Sequence, residues 1–240
     1  MKILITGGAG FIGFCLCKKL LDQGNKVDLI DNFSRGKLDD DLSKISSNNN
    51  LNIINANLLS NNIENKLSLE YDSIYHFAAI IGVQNVLNNP YKVLEENTSL
   101  TVNSLKIAKR QKNLKKYIFA STSEVYAGTL ENFHLEIPTT EDTSICITDL
   151  RRPRTSYMLS KIYGEALVQN SGLPFAIIRP HNIYGPRMGM SHVIPEILKK
   201  VHNLKNNSNL NIMSADHTRS FCYINDAIDQ IIFIANCINA

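Results

Sequence analysis

The stretch Lys2-Ile-Leu-Ile-Thr6, followed at once by Gly7-Gly-Ala-Gly-Phe-Ile-Gly13, decides the fold of this chain. Its first five residues form a short apolar run that is typical of a buried strand. The glycines behind the run allow a tight turn, and the apolar spacing over 11–23 predicts a helix. A strand, a glycine-rich turn and a helix in this order are the start of a parallel βαβ unit.

The same glycine-rich turn predicts a binding site. Gly8, Gly10 and Gly13 fit the pattern G-x-G-x-x-G, and Gly7, Gly10 and Gly13 fit G-x-x-G-x-x-G equally well. Glycines let the backbone approach a pyrophosphate, and the N-terminus of the following helix supplies free N–H groups and a positive dipole end. The strand before the turn and the helix after it favour a dinucleotide site over a purely structural turn, which is the alternative.

Short apolar runs alternate with helical patterns along the rest of the chain, which predicts an α/β fold with a Rossmann-type, doubly wound parallel sheet. The predicted strands are 2–6, 26–30, 51–55, 72–76, 116–121 and 174–179. The predicted helices are 11–23, about 90–112, 156–171, 191–203 and 226–238. We expect loops around the third strand because 46–65 is rich in Asn and Ser, an exposed connection over 199–211, and a short apolar segment at 210–213.

Composition excludes several classes of protein. The 240 residues are 44% hydrophobic and carry a formal net charge of +3, which suits a globular protein without a nucleic-acid surface. The five cysteines show no CxxC pattern and no zinc-like Cys/His spacing, so we expect reduced thiols and no metal. No apolar run reaches the ~18 residues that span a bilayer. Because a strand begins at residue 2, we expect no signal peptide and a cytoplasmic location.

An acidic residue indicates which dinucleotide is bound. Asp31 follows strand 26–30, close to the spacing of about 20 residues behind the glycines at which a carboxylate accepts hydrogen bonds from the adenosine ribose. That carboxylate repels a 2′-phosphate and favours NAD over NADP, although Arg35 nearby offers a phosphate contact. Asn57, after the third strand, either accepts a hydrogen bond from the adenine amine or caps a loop.

Tyr157 and Lys161 lie four residues apart in a predicted helix and therefore share one helix face. A cation beside a phenol stabilises the phenolate and lowers the pKa from its usual value near ~10. Alone, this spacing is more often a surface pair. Behind a dinucleotide site, it predicts a catalytic base.

The glycine turn, Asp31 and the Tyr157/Lys161 pair, in this order, resemble the extended short-chain dehydrogenase/reductase family, in particular its NAD-dependent nucleotide-sugar epimerases, dehydratases and decarboxylases. Further matching segments are His76-Phe-Ala-Ala79, Asn97, Ala120-Ser-Thr-Ser-Glu-Val-Tyr126, Arg179-Pro-His-Asn-Ile-Tyr-Gly-Pro-Arg187 and Arg219-Ser-Phe221.

The resemblance implies roles for these residues. The Tyr157 phenolate removes a proton from a sugar hydroxyl, usually at C4, while hydride passes to NAD. Lys161 holds the nicotinamide ribose and keeps the phenol acidic, and Thr122 hydrogen-bonds the same sugar oxygen. Ser123 and Glu124 then act on the 4-keto sugar, with Glu124 as a base for the C5 proton.

The resemblance also implies two sets of binding residues. The cofactor set is Gly7, Gly10, Phe11, Ile12, Gly13, Asp31, Asn32, Asn57, Leu58, Phe77, Ala78, Ala79, Asn97, Tyr157, Lys161 and Arg179. The substrate set is Thr122, Asn182, His192, Val193 and Arg219. For His181 and His192 we expect hydrogen bonding rather than acid–base catalysis.

A dehydratase or decarboxylase is the favoured type of enzyme, and a 4-epimerase is the alternative. Glu124 stands two residues after Thr122, as in the dehydratases and decarboxylases, whereas epimerases usually carry a small or neutral residue there. The segments 153–157 and 184–188 resemble UDP-glucuronate decarboxylases, in which an arginine can hold the sugar carboxylate. A non-catalytic NAD-binding protein and a reductase of non-nucleotide carbonyl compounds are further alternatives.

The resemblance predicts how the chain is organised. We expect an NAD-binding domain over 1–180 and a partial substrate lobe over 181–240, and a homodimer that uses the helices over 90–112 and 156–171. Relatives usually continue beyond 219–221, so we expect a small, shortened lobe. Two positions depart from the family pattern: Ala127 replaces the glycine of Val-Tyr-Gly, and Asn57 replaces a common acidic residue.

Overall fold

Six parallel strands form the central sheet in the order β3-β2-β1-β4-β5-β6. The computed structural model of the protein describes residues 1–204, 209–210, 212 and 216–237. The strands are β1 Lys2–Thr6, β2 Lys26–Asp31, β3 Leu51–Asn55, β4 Ser73–His76, β5 Lys116–Ala120 and β6 Phe175–Ile178. All six coincide with predicted strands to within one residue at each end, and the predicted α/β fold class is confirmed.

Helices cover both faces of this sheet. They are α1 Phe11–Asp22, α2 Asp40–Ile45, α3 Val83–Asn88, α4 Pro90–Lys109, α5 Ala127–Asn132, α6 Thr155–Gln169, α7 Val193–His202 and α8 Ile224–Asn236. Short 3-10 helices span Ile63–Lys66 and Ser123–Tyr126, and β7 Ile183–Tyr184 pairs with β8 Cys222–Tyr223 in a second, two-stranded sheet.

The long predicted helices are all present, with ends that differ by up to three residues. The sequence did not predict α2, α3 and α5, because a helix of six residues is too short to show the helical period. The Asn- and Ser-rich stretch holds β3 and one 3-10 turn between loops. Parts of the predicted segments 199–211, 210–213 and 226–238 lie outside the described residues.

The core consists of two apolar layers, one on each face of the sheet. Every residue of β4 and β5 is buried, as expected for parallel strands covered on both sides. One layer contains the buried faces of α1 and α8, and the other contains residues of α4 and α6. The last described helix, α8, is therefore part of the core beside α1. The proposed domain boundary at residue 180 stays a prediction.

The strand order places a crevice at the carboxyl ends of β1 and β4. The chain leaves β1 toward β2 and β3 on one side, and β4 begins the other half of the sheet. Loops from these neighbouring strands therefore diverge to opposite faces, and ligands bind in the opening between them. Within the described ranges, no helix combines the length and the hydropathy needed to cross a bilayer.

We predict that Gly13→Ala destabilises the fold by about 1–3 kcal/mol, because a side chain added there overpacks a backbone contact. A Cβ on Gly13 would lie 2.5 Å from the carbonyl oxygen of Gly7. A matched control is Gly189→Ala, whose Cβ would meet its nearest neighbour, a ring carbon of His192, at 3.5 Å. Urea unfolding measures both variants, and equal free energies of unfolding would contradict the prediction.

Candidate active site

A cleft of about 1290 Å³ opens at the carboxyl edge of the sheet. It contains most of the residues that the sequence singled out. These are Gly7, Gly10, Phe11, Ile12, Gly13, Asp31, Asn32, Asn57, Leu58, Phe77, Ala78, Ala79, Thr122, Ser123, Glu124, Tyr157, Lys161, Asn182, His192 and Arg219. The cleft thus joins the predicted cofactor and substrate residues in one continuous space.

The glycine turn has the geometry of an anion site. Gly7 has a φ of +69°, a conformation that favours glycine, and its N–H donates to the carbonyl of Ile30 at 2.9 Å. Gly10 is the N-cap of α1, and the first turn of α1 contains no acidic residue. The positive end of this helix therefore faces the cleft and carries no carboxylate in its own first turn, which suits a pyrophosphate.

Asp31 is held firmly beside this turn. Its Oδ2 accepts a hydrogen bond from the N–H of Ala9 at 3.0 Å, and its Oδ1 accepts one from Phe33 at 2.8 Å. The carboxylate therefore keeps its place at the end of β2, where it repels a 2′-phosphate. Arg35 also lines the cleft, but its charge acts on Tyr157 and His192. It therefore faces the opposite, catalytic end of the cleft, which supports a preference for NAD.

Two predicted polar residues contact the backbone of cofactor loops. Asn57 lines the cleft, and its Oδ1 accepts a hydrogen bond from the N–H of Leu59 at 2.9 Å, so the loop-capping interpretation describes its side chain. Asn97 is buried outside the cleft and binds both backbone groups of Ile80, at 2.7 and 3.0 Å. Asn97 therefore supports the loop behind Ala79 rather than lining the cofactor space.

The catalytic candidates converge from two elements. Thr122 follows β5 and caps the short helix Ser123–Tyr126, where its Oγ1 accepts from the N–H of Glu124 at 3.2 Å. Tyr157 and Lys161 lie on adjoining turns of α6. A hydrogen-bonding interaction with the Thr122 side chain reaches the Tyr157 phenol and partly lowers its pKa. All three residues line the cleft.

In the protein without bound ligand, the pKa of the Tyr157 phenol is raised. The prediction that it is lowered is therefore wrong for the ligand-free protein. Burial, together with the charge of Glu124, raises the pKa of Tyr157 to about 12. The opposing charge comes from Arg35 and not from Lys161, whose Nζ lies 5.9 Å from the Tyr157 ring centroid. A shared helix face therefore brings the two side chains near each other but does not aim the ammonium at the phenol oxygen.

Lys161 is instead directed at the sheet. Its Nζ donates to the carbonyl oxygen of Ala120 at 2.7 Å and lies 5.1 Å from the ring centroid of Phe119. Burial lowers the pKa of Lys161 to about 8, and the carboxylate of Glu165 opposes this shift. The charge of Lys161 in turn adds to burial in lowering the pKa of His76 to about 3, so His76 is neutral and serves as a hydrogen-bonding core residue.

An ion pair crosses the mouth of the catalytic end. Arg154 Nη2 lies 3.0 Å from Glu124 Oε1, and both residues line the cleft. Both side chains are also partly exposed, so the pair is held only weakly and a ligand can replace either partner.

Two other predicted residues lie outside the cleft lining. The guanidinium of Arg179 binds both carboxylate oxygens of Glu165, at 2.9 and 2.6 Å, so the geometry does not support a cofactor contact. Val193 begins α7 with its side chain exposed to solvent. Neither residue lines the cleft, because the Arg179 side chain pairs with Glu165 and the Val193 side chain is exposed to solvent.

The substrate end is built from two chain segments that bind each other. Asn182 Nδ2 donates to the carbonyl of Ser220 at 3.1 Å, and the Ser220 hydroxyl pairs with His181 Nδ1 at 2.5 Å. Arg219 lines the cleft beside them. Burial and the Arg219 charge lower the pKa of His181, which keeps this imidazole neutral and suits a hydrogen-bonding role.

The sequence did not predict a long-range link across the cleft. Arg187 Nε and Nη2 lie 3.0 and 2.7 Å from Asp39 Oδ2, and the guanidinium lies 4.0 Å from the ring centroid of Phe14. Asp39 also caps α2 by accepting from Leu42. Arg187 belongs to a segment that matches the family pattern, but no local spacing indicates that its partner lies 148 positions away.

Known proteins are similar to this chain in sequence and in fold. The chain matches the NAD dependent epimerase/dehydratase family over residues 3–240. A UDP-N-acetyl-alpha-D-glucosaminuronate decarboxylase of Bacillus cytotoxicus is 36% identical over 240 residues, covering 96% of this chain and 70% of that protein. UDP-glucuronic acid decarboxylase 1 of Xenopus tropicalis is 31% identical, and the match covers 98% of this chain and 53% of that protein. The chain thus spans about half the length of this second relative.

A solved structure is similar over nearly the whole chain. It is the UDP-glucuronic acid 4-epimerase of Bacillus cereus, in complex with UDP-glucuronic acid and NAD. The TM-score is 0.80 at 29% identity, and the match covers 99% of this chain and 74% of that one.

A Rossmann-type sheet with a dinucleotide cleft and Thr, Tyr and Lys at its floor defines the extended short-chain dehydrogenase/reductase class. Within that class, this chain belongs to the NAD-dependent epimerase/dehydratase family. The predictions of this family, of an NAD-dependent enzyme that modifies nucleotide sugars and of NAD as its cofactor are confirmed. The roles of individual site residues stay predictions.

We predict that Tyr157 stays protonated to about pH 12 in the protein without NAD, because burial destabilises the phenolate. Bound NAD brings a cationic ring and lowers this pKa. Tyrosinate absorbance of the protein and of Tyr157→Phe measures the shift, with Tyr163→Phe as the control for losing a phenol from α6. A cofactor-free phenol that ionises near pH ~10 and is missing from Tyr157→Phe would contradict the prediction.

Proposed function

We propose that the protein is a decarboxylase of nucleotide-linked uronic acids that works through a transient 4-keto sugar. The observation that carries this proposal is the Arg154–Glu124 pair at 3.0 Å beside Thr122 and Tyr157. Bound NAD would supply the reversible hydride chemistry at C4, so that the reaction would consume no net oxidant. The remaining chemistry falls to side chains of this chain.

Tyr157 and Thr122 serve the oxidation step. The phenolate takes the proton of the C4 hydroxyl, and the Thr122 hydroxyl hydrogen-bonds the same oxygen. Because burial holds the pKa of Tyr157 at about 12 without NAD, the base forms only when a cation lies beside it. Lys161, with its Nζ fixed by the carbonyl of Ala120, is available to hold the nicotinamide ribose.

Arg154 is the candidate for binding the sugar carboxylate. A guanidinium binds a carboxylate through two parallel hydrogen bonds, and its present partner Glu124 offers the same chemistry. A uronate that enters the cleft exchanges one carboxylate for another on Arg154 and releases Glu124. The 4-keto sugar is then a β-keto acid, whose C5–carboxylate bond breaks to release carbon dioxide while its electron pair moves toward the C4 ketone. A proton then adds at C5.

The similar decarboxylases of Bacillus cytotoxicus and Xenopus tropicalis support this choice. A dehydratase is the second candidate, and Glu124 favours it, because a carboxylate two residues after Thr122 is placed to remove a C5 proton. In that case Arg154 positions Glu124 instead of the sugar. The 4-epimerase stays the third candidate, since the similar Bacillus cereus structure is an epimerase.

Incubation with UDP-glucuronate, UDP-N-acetylglucosaminuronate, UDP-glucose and dTDP-glucose, followed by mass spectrometry, separates these candidates. We expect the two uronates to lose carbon dioxide. Loss of water from a neutral sugar would identify a dehydratase, and a product of unchanged mass with inverted C4 would identify an epimerase. Net consumption of NADPH with a simple carbonyl compound would favour the reductase alternative. Tight NAD binding without any turnover would favour a non-catalytic protein.

We predict that Arg154→Gln raises KM for UDP-glucuronate roughly 10- to 100-fold, because it removes a charge-assisted hydrogen bond to the carboxylate. The control is Arg152→Gln, since Arg152 pairs with Glu131 at 2.7 Å and lies outside the cleft lining. Steady-state assays on both variants measure the effect. Equal KM values for the two would refute carboxylate binding by Arg154.

We also propose that the protein acts as a homodimer in the cytoplasm. α4 and α6 pack side by side on one face of the sheet, and each exposes a tyrosine there, Tyr91 and Tyr163. All five cysteines are free thiols, which fits a reducing compartment. Sedimentation equilibrium tests the dimer, and a monomeric mass at micromolar concentration would rule it out.

A further inference from the structure

A buried charged cluster lies directly behind the catalytic candidates. Glu165 is only 3% exposed, and its carboxylate binds the guanidinium of Arg179 at 2.9 and 2.6 Å. The same carboxylate accepts a hydrogen bond from the hydroxyl of Ser121 at 2.5 Å. The mechanism described above uses none of these three residues. A buried carboxylate is costly unless it is paired, so its retention calls for an explanation.

The cluster fixes α6 to the end of β5 at two successive points. Lys161 Nζ donates to the carbonyl oxygen of Ala120 at 2.7 Å, and one turn later Glu165 accepts from Ser121. Ala120 and Ser121 immediately precede Thr122. Two successive turns of α6 therefore hold two successive residues of β5 and its exit. Thr122 and Tyr157, which must reach the same sugar oxygen, are held by these contacts.

Arg179 extends the cluster to two further segments. Its Nη1 donates to the Tyr126 hydroxyl at 2.5 Å and to the carbonyl of Glu141 at 2.9 Å. Tyr126 ends the short helix that begins at Ser123 and carries Glu124. The bidentate pair with Glu165 raises the pKa of Arg179 further, so the guanidinium stays charged.

We propose that Glu165 is a positioning residue, which fixes α6 to the end of β5 and thereby holds Thr122, Tyr157 and Lys161 in their relative places. This inference rests on the proposed catalytic roles of these three residues. Glu165 touches neither the cleft nor a reacting atom, and it acts through Ser121 on one side and Lys161 on the other.

The charges around Lys161 decide the direction of the electrostatic effect. Glu165 and Tyr157 lie on the same helix, each one turn away from Lys161. Neutral His76 lies on β4, and Arg179, just after β6, pairs with Glu165. Burial lowers the pKa of Lys161 to about 8, and the Glu165 carboxylate raises it. Without the carboxylate, Lys161 therefore loses its proton at a lower pH.

The test compares the pH dependence of kcat for the wild type, Glu165→Gln and Ser121→Ala on the nucleotide sugar that the wild type turns over. We expect Glu165→Gln to lower kcat at least roughly 10-fold with little change in KM, and to move the alkaline limb down by on the order of one pH unit. Ser121→Ala removes a hydrogen bond but no charge. We therefore expect kcat to fall while the alkaline limb of its pH profile keeps its position. Glu131→Gln, which breaks an exposed ion pair with Arg152, is the control. We expect it to leave both kcat and the alkaline limb unchanged.

A purely structural role predicts a different result. It predicts that Glu165→Gln lowers the melting temperature, whereas the pH dependence of kcat, corrected for the folded fraction, matches that of the wild type. That result overturns the proposal. If Glu165→Gln does not fold, the double variant Glu165→Gln/Arg179→Gln removes both charges and avoids an unpaired buried ion. The same downward shift of the alkaline limb is expected in it, and an unshifted limb overturns the proposal.

NAD binding gives an answer that does not depend on turnover. Affinity for NAD, measured by calorimetry across pH without a sugar, is expected to fall at a lower pH in Glu165→Gln than in the wild type, because Lys161 holds the nicotinamide ribose. If the wild type converts no nucleotide sugar, the proposed function fails. Identical NAD-affinity profiles would separately refute the role of Glu165.

Discussion

The close approach of backbone to backbone at the glycine turn is the constraint on which the rest of the site depends. A Cβ on Gly7 would lie 2.7 Å from the amide nitrogen of Ala78, and a Cβ on Gly13 would meet the carbonyl of Gly7. The turn after β1, the loop after β4 and the start of α1 therefore pack without side chains between them. This contact brings the helix N-terminus to the point where the two halves of the sheet diverge, and a pyrophosphate can reach it there.

Burial places the catalytic groups in states that depend on the ligand. Around neutral pH the phenol of Tyr157 is protonated, while the ammonium of Lys161 is close to losing its proton. Burial disfavours the charged form of each group. A nearby cation is needed to stabilise the Tyr157 phenolate, and a nearby anion is needed to stabilise the Lys161 ammonium. Glu165 partly supplies the second need, and bound cofactor supplies the first. In the proposed mechanism, the free protein therefore keeps the phenol of Tyr157 protonated until the cofactor is bound.

Local spacing explains what the sequence could and could not predict. The turn from Gly7 to Gly13, Asp31 at the end of a strand, and the interval from Tyr157 to Lys161 are local patterns, and the fold and most of the cleft lining follow from them. Direction of side chains does not follow from spacing. Lys161 turns to Ala120 instead of Tyr157, and Arg179 turns to Glu165 instead of the cleft, because buried partners in the folded chain decide each orientation. The link between Asp39 and Arg187 likewise joins residues 148 positions apart, which no period reveals.

The position of α8 has a consequence for how the chain folds as it is made. Its buried residues, among them Ile224, Ile228 and Ile231, belong to the same apolar cluster as Leu16 and Leu20 of α1. The ribosome produces α1 some 200 residues before α8, at roughly 5–20 residues per second, so an apolar face near the N-terminus waits many seconds for its cover. During this interval the nascent sheet is exposed on one side. The apolar layer on this face of the sheet is therefore completed only when α8 has been synthesised.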